Sequence, residues 1–131
     1  MHVLVVDDVT VAREVLRAVA CSAIDEAVVC TASSLEEALM VARGMAGLET
    51  VLLDLGLPGC EGVDALLRFK AAFPAARIIV VSADDSPGMI ADAMRAGASG
   101  FVSKRGIPAD MFEAIRVVAD GGRYAPSAVR S

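Results

Sequence analysis

The chain has 131 residues, a length that suits one domain, and its 56% hydrophobic but only 4% aromatic content predicts a core of aliphatic side chains. With 12 basic and 17 acidic residues, the net charge is −5, and this charge argues against direct binding of nucleic acid. Three cysteines without metal-ligand spacing, the lack of a signal peptide and the lack of an apolar stretch of membrane length predict a cytoplasmic protein with reduced thiols and no membrane contact.

Five short apolar runs alternate along the chain with segments whose apolar residues recur at helical spacing. The runs of strand length are 2–6, 27–31, 50–53, 77–81 and 100–102. The fourth and fifth helices are predicted at 87–96 and 108–120, and Ser34 with Glu37 three residues later has the pattern of a capping box at the start of the second helix. This alternation predicts an α/β fold with five helices and a doubly wound, mostly parallel sheet, since five strands are too few for a closed eight-stranded barrel.

Polar side chains follow four of the five predicted strands. Asp7 and Asp8 come directly after the first strand, Asp54 ends the third, Ser82 follows the fourth and Lys104 follows the fifth. Open α/β sheets bind their ligands outside the carboxyl ends of the strands. We therefore expect these five side chains to converge at one edge of the sheet.

The types of these residues predict phosphoryl chemistry. Crowded carboxylates repel one another, and a divalent cation relieves the repulsion; Mg²⁺ is commonly held by one or two carboxylates and a phosphate oxygen. A hydroxyl at Ser82 and an ammonium at Lys104 suit the negative charge of a transferring phosphoryl group. Asp54 is then left as the nucleophile, because a carboxylate can accept a phosphoryl group.

These residues and their spacing resemble the receiver domain of two-component response regulators over the whole chain. The motifs are Asp7-Asp8, the LLDLGLPG segment around Asp54, Ser82 followed by Ala83, and Phe101 three residues before Lys104. The resemblance implies a flavodoxin-like fold with strand order 2-1-3-4-5. It also implies a signalling module rather than a turnover enzyme, one that catalyses only its own phosphoryl transfer and dephosphorylation.

The resemblance also assigns roles to the residues at the strand ends. Asp54 is the phosphoacceptor, supplied by the phosphohistidine of a sensor histidine kinase, and Lys104 contacts the phosphoryl group. Asp8, Asp54 and the main-chain carbonyl of Gly56 bind Mg²⁺ directly. Asp7 assists through metal-bound water.

Ser82 and Phe101 form the switch pair that the resemblance implies. The Ser82 hydroxyl moves to the phosphoryl group and the Phe101 ring follows inward, which repacks the face made by the fourth helix, fifth strand and fifth helix. Apolar surface on the fourth and fifth helices is a candidate for a phosphorylation-dependent homodimer interface.

The last segment, FEAIRVVADGGRYAPSAV, is similar to the end of the receiver in NarL/FixJ-type (LuxR-type) regulators, where a linker leads to a helix-turn-helix domain. By that resemblance residues 1–121 form the receiver, and residues 122–131 begin a linker to a helix-turn-helix domain that this sequence does not contain. Any contact with DNA would be made through that domain. We expect the chain to be an excised receiver rather than a natural single-domain protein, and the Lys104–Arg105 peptide bond to be trans.

Three other functions remain open on the sequence alone. An aspartate-nucleophile phosphohydrolase also places Asp, Ser or Thr and Lys around Mg²⁺, but its nucleophile lies on the first strand with a second Asp two residues later, where this chain has Val9. A pseudo-receiver would be an interaction module that never takes a phosphoryl group, and the complete set of five site residues argues against it. A dinucleotide-binding domain would need a glycine-rich turn after the first strand, where this chain has Asp-Asp.

Overall fold

A computed structural model describes residues 1–126 of the chain. Its strands and helices alternate from the first residues to the last helix. The strands are β1 (His2–Val6), β2 (Val28–Ala32), β3 (Leu48–Asp54), β4 (Arg77–Ser82) and β5 (Gly100–Ser103). The helices are α1 (Thr10–Ala23), α2 (Leu35–Arg43), α3 (Asp64–Ala72), α4 (Pro87–Arg95) and α5 (Ala109–Ala119), with a short 3-10 helix at Lys104–Gly106.

The strands form one parallel sheet in the order β2-β1-β3-β4-β5. This confirms the predicted α/β class and the strand order 2-1-3-4-5. The predicted strand limits differ from the observed ones mainly at β3, which begins two residues earlier than predicted because it includes the polar Glu49.

The sheet separates two apolar cores. Side chains alternate along each strand, so Val51 and Leu53 of β3 pack toward α2, α3 and α4, while Leu52 packs toward α1 and α5. These residues are fully buried, as expected for a parallel sheet covered by helices on both faces. The rigid sheet fixes the positions of the residues that follow its strands.

Local signals in the sequence set several helix starts. The Glu37 N–H donates to Ser34 Oγ at 3.1 Å, which confirms the predicted cap of α2. The Glu37 carboxylate accepts from the Ser33 N–H at 2.6 Å, one residue earlier than in a standard capping box. Pro108 lies one residue before α5 rather than inside its first turn, and the Ile107–Pro108 peptide bond is cis, whereas the Lys104–Arg105 bond is trans as predicted.

The chain returns to the sheet after α5. The Phe101 N–H donates to the Tyr124 carbonyl at 2.9 Å, and the Tyr124 N–H donates to the Ser99 carbonyl at 3.0 Å, so that Tyr124 extends the sheet beyond β5 as a short parallel bridge. Arg123 Nη2 donates to the Met94 carbonyl at the end of α4 at 3.2 Å, and Tyr124 itself is buried. Part of the segment predicted to begin a linker therefore packs against the domain; residues 127–131 of that segment lie outside the described residues.

Within residues 1–126, no helix is long and apolar enough to cross a membrane.

Candidate functional site

Three carboxylates lie together at the carboxyl edge of the sheet. Asp54 is the last residue of β3, the central strand, and Asp7 and Asp8 directly follow the neighbouring strand β1. One carboxylate oxygen from each of the three lies within 4.8 Å of the others. Asp7 and Asp54 are buried and Asp8 is exposed, so the group is open to solvent on the Asp8 side.

Lys104 brings the countercharge to this group. It is the first residue after β5, and its Nζ lies 3.3 Å from Oδ2 of Asp7 and 3.3 Å from Oδ2 of Asp54. Burial on its own would lower the pKa of Lys104, but the attraction of Asp54 and Asp7 outweighs that effect and raises the pKa above its ordinary value. Lys104 is therefore a permanent cation beside the two buried carboxylates.

The ionised form of Asp54 is only partly stabilised. Burial, the largest effect, raises the pKa of Asp54, and repulsion by Asp7 raises it further. The Gly56 N–H, which donates to Oδ1 at 2.9 Å, and the ammonium of Lys104 both lower it. The net result is a pKa above the ordinary value for aspartate. A buried carboxylate whose pKa is shifted in this way is typical of a functional site.

Asp7 has one carboxylate oxygen with incomplete contacts. Its Oδ1 accepts from the Val9 N–H at 2.9 Å, whereas its buried Oδ2 accepts no hydrogen bond from the described residues and has only the electrostatic contact with Lys104. A buried oxygen without a donor carries a desolvation cost that a cation relieves. Three carboxylates opposed by one ammonium leave the group net negative, and this donor set fits a hard divalent cation such as Mg²⁺.

A cleft of about 440 Å³ lies at this edge of the sheet. Its walls include Asp8, Asp54, Gly56, Ser82 and Lys104. Ser82 ends β4 and is buried, and its Oγ accepts from the Asp84 N–H at 3.0 Å. The structure thus places the predicted acids, hydroxyl and ammonium around one cleft, with Asp7 directly behind it in contact with Lys104.

Phe101 lies apart from the cleft on β5. Its ring is fully buried in the core between the sheet and helices α2, α3 and α4, with Ile90 and Ala93 of α4 in the same cluster. The ring therefore occupies an inward position. Its main chain is the one that pairs with Tyr124.

Sequence reasoning did not find a second polar group beside the cleft. Asp85, in the loop between β4 and α4, accepts from Ser103 Oγ at Oδ2 (2.8 Å) and pairs with Arg105 Nη2 at Oδ1 (2.7 Å). The Arg105 N–H also donates to Ser103 Oγ at 3.1 Å. The partners are 18 and 20 residues apart in sequence, and a neighbouring pair of acids, Asp84-Asp85, offers no local signal of which one makes these contacts.

An acidic group, a hydroxyl and an ammonium at the carboxyl edge of a parallel sheet ordered 2-1-3-4-5 are the arrangement of a receiver domain. The comparison of the sequence with protein families agrees. The chain belongs to the response regulator receiver domain family, whose model matches residues 3–116.

Curated relatives of the chain include a transcriptional activator and a response regulator. It is 35% identical to the transcriptional activator protein ExaE of Pseudomonas putida over 125 residues, which is 95% of this chain and 58% of that protein. It is 32% identical to the response regulator UvrY of Escherichia coli K12 over 127 residues, 97% of this chain and 58% of that protein. The chain thus spans a little over half the length of these curated relatives.

Solved structures support the same assignment. A LuxR-family two-component response regulator from Aurantimonas sp. SI85-9A1 has a TM-score of 0.86 and 30% identity, and the match covers 98% of this chain and 91% of that chain. A LuxR-family DNA-binding response regulator from Silicibacter pomeroyi has a TM-score of 0.84 and 25% identity, with 98% of each chain covered. The chain is a receiver domain of the two-component response regulator type.

Proposed function

We propose that Asp54 accepts a phosphoryl group from the phosphohistidine of a sensor histidine kinase. The observation that carries this proposal is the position of the Asp54 carboxylate: it is 3.3 Å from the ammonium of Lys104 and lines the same cleft as Ser82. In the transfer, an oxygen of Asp54 forms a bond to phosphorus, the phosphorus–nitrogen bond of the donor breaks, and the imidazole leaves with a proton. The product is an acyl phosphate on Asp54.

Lys104 and Ser82 stabilise the charge of the transferring group. That charge is spread over three equatorial oxygens, and its stabilisation is most of the catalytic task in phosphoryl transfer. The Lys104 ammonium supplies a fixed positive charge, and the Ser82 hydroxyl accepts from the Asp84 N–H, which leaves its own O–H to donate to a phosphoryl oxygen.

Asp8, Asp54 and the main-chain carbonyl of Gly56 would hold Mg²⁺, with Asp7 contributing through metal-bound water. When bound, the ion would neutralise charge on the phosphoryl group and on the crowded carboxylates. The unsatisfied Oδ2 of Asp7 and the net negative charge of the group support this assignment.

Ser82 and Phe101 form the switch. The phosphoryl group attracts the Ser82 hydroxyl at the end of β4 and thereby stabilises the inward, buried position of the Phe101 ring on the adjacent strand β5 over an outward one. The face made by α4, β5 and α5 is thereby repacked. The output is homodimerisation or the control of a DNA-binding helix-turn-helix domain attached after the receiver.

The kinase docks on the exposed face of α1 near the cleft. An apolar groove of about 510 Å³ is lined by Ala12 and Val15 of α1, by Ile107 and Pro108, and by Lys104, which also lines the cleft; it suits helices of a partner protein. The domain does not turn over a small substrate; it catalyses the transfer to itself and the later loss of the phosphoryl group.

The test is intact mass spectrometry after incubation with Mg²⁺ and phosphoramidate, a small donor with a phosphorus–nitrogen bond. Wild type should gain one phosphoryl group, Asp54→Ala should gain none, and Asp92→Ala, which removes an exposed aspartate on α4, should behave as wild type. A chelator should abolish the gain. Equal modification of Asp54→Ala and wild type would contradict the assignment of Asp54, and steady release of phosphate from small esters would favour a hydrolase.

A further inference from the structure

The two residues that flank Lys104 in the chain share one carboxylate partner. Ser103 and Arg105, on either side of Lys104, both contact the carboxylate of Asp85: Ser103 through its hydroxyl at 2.8 Å and Arg105 through its guanidinium at 2.7 Å. Asp85 itself belongs to the loop that begins directly after Ser82. One carboxylate therefore joins the loop that follows Ser82 to the turn that carries Lys104.

The loop that contains Asp85 is itself ordered by successive hydrogen bonds. The Asp84 N–H donates to Ser82 Oγ at 3.0 Å, the Ser86 N–H donates to Asp84 Oδ1 at 3.1 Å, and the Met89 N–H donates to Ser86 Oγ at 3.3 Å at the start of α4. The pairing of Ser82 with Ser103 already fixes the ends of β4 and β5 relative to each other. The contacts of Asp85 add a second link, between the loop before α4 and the turn that carries Lys104.

We propose that Asp85 is a positioning residue for phosphoryl transfer to Asp54. It sets the placement of the Lys104 ammonium relative to Ser82 through the contacts with Ser103 and Arg105. This inference rests on the proposed function, because Lys104 and Ser82 act on the same phosphoryl group. Small displacements of such groups reduce the rate of transfer strongly, whereas they change overall stability little.

The contact itself is partly open to solvent. The side chain of Arg105 is 76% exposed and that of Asp85 is 32% exposed, so the ion pair contributes little to the stability of the fold. Its effect is on the geometry of the cleft, and this distinguishes it from a stabilising contact in the core. A matched contact exists on α4, where Arg95 pairs with Asp92 at 2.8 Å and both side chains are exposed.

The experiment measures the rate of phosphorylation of the whole chain over a range of phosphoramidate concentrations with Mg²⁺. Asp85→Ala should lower the maximal rate by about fivefold and leave the half-saturating donor concentration unchanged, as expected for misplacement rather than lost binding. Asp92→Ala should match wild type in both quantities. Arg105→Ala should lower the maximal rate in the same way, and Arg105→Lys, which keeps the charge, should recover most of it.

Each alternative outcome has a separate meaning. If Asp85→Ala and Asp92→Ala react at the same maximal rate while wild type is phosphorylated on Asp54, the positioning role is wrong and the proposed function stands. If only the half-saturating concentration changes, the charges attract the donor and do not position Lys104. If the urea midpoint of Asp85→Ala falls together with its rate, the residue is merely structural. If wild type takes no phosphoryl group, the proposed function and the positioning role both fail.

Discussion

Replacement of Lys104 by methionine would remove the ammonium from the cleft and keep most of the length of the side chain. Among the described residues, Lys104 is the only side chain in an ion pair with Asp7 or Asp54. Its loss would leave two buried carboxylates beside each other without a countercharge, and such an arrangement destabilises a folded protein. The expected result is a lower free energy of unfolding in the presence of a chelator.

The two ion-pair distances of Lys104 set the size of the expected loss of stability. At 3.3 Å, with an effective dielectric constant of about 20, each of the two pairs supplies about 5 kcal/mol of Coulomb attraction. Desolvation of the ammonium and screening by water at a side chain that is 28% exposed offset most of this attraction. We expect Lys104→Met to lower the free energy of unfolding by about 2–3 kcal/mol at neutral pH, somewhat less than the ~3–5 kcal/mol typical of fully buried pairs.

The pH dependence follows from Asp54. Burial already raises the pKa of Asp54, and removal of the ammonium raises it further. A carboxyl whose pKa is higher in the folded than in the unfolded chain costs stability above its folded-state pKa, and this cost fades as the pH falls toward the unfolded value of about 3.9. The deficit of Lys104→Met should therefore be largest at about pH 7 and smaller at about pH 5.

Urea unfolding followed by circular dichroism, in a chelator at both pH values, measures this deficit. The chain's other lysine supplies the control: Lys70 Nζ donates to the Ala76 carbonyl at 3.1 Å and, within the described residues, forms no ion pair. Lys70→Met should show a deficit that does not change with pH. The reasoning is refuted if the deficit of Lys104→Met is below about 0.5 kcal/mol, within the scatter of surface substitutions, or is the same at both pH values.

Three further outcomes follow from the structure. Tyr124→Ala should lower the free energy of unfolding by about 2–3 kcal/mol in urea titrations, because Tyr124 is buried against the core beside β5. Ser34→Ala should cost about 1 kcal/mol in the same assay through loss of the cap of α2, and Ser33→Ala, which keeps the cap, should cost less. Asp54→Asn should raise the free energy of unfolding by about 1 kcal/mol at neutral pH in a chelator, since it removes a carboxylate whose pKa is raised by burial. Added Mg²⁺ should stabilise wild type more than this variant.

The fold was predictable because its signals are local. Apolar runs of strand length alternate with segments of helical spacing, and parallel strands joined by helices have few possible arrangements. Errors occurred where polar residues continue an element: β3 begins at Leu48 because Leu48 pairs with His2 of β1 across a bulge at Glu49, which faces solvent. Such boundaries depend on pairing with a neighbouring strand, here β1, and not on the residue's own preference.

The carboxyl edge of the sheet was predictable for a related reason. In a parallel sheet all carboxyl ends lie at one edge, so residues that follow different strands become neighbours whatever their separation in sequence. Asp7, Asp54 and Lys104 meet in this way, at distances that an ion pair requires. The position of residues at this edge does not by itself predict the pKa of Asp54. That pKa is raised first by burial, and burial is defined only by the packed structure.

Asp85 and Tyr124 show why the remaining contacts could not be predicted. Asp85 is adjacent to Asp84 and chemically identical, yet Asp84 turns its carboxylate to the Ser86 N–H within its own loop, while Asp85 reaches across to β5. Tyr124 lies in a segment with the composition of a linker, and its place beside Phe101 depends on a free main-chain edge of β5 that exists only once the sheet has formed. Asp85 contacts the residues on either side of Lys104, and Tyr124 pairs with Phe101. Contacts between segments that are distant in sequence thus surround the site, and local sequence patterns do not predict such contacts.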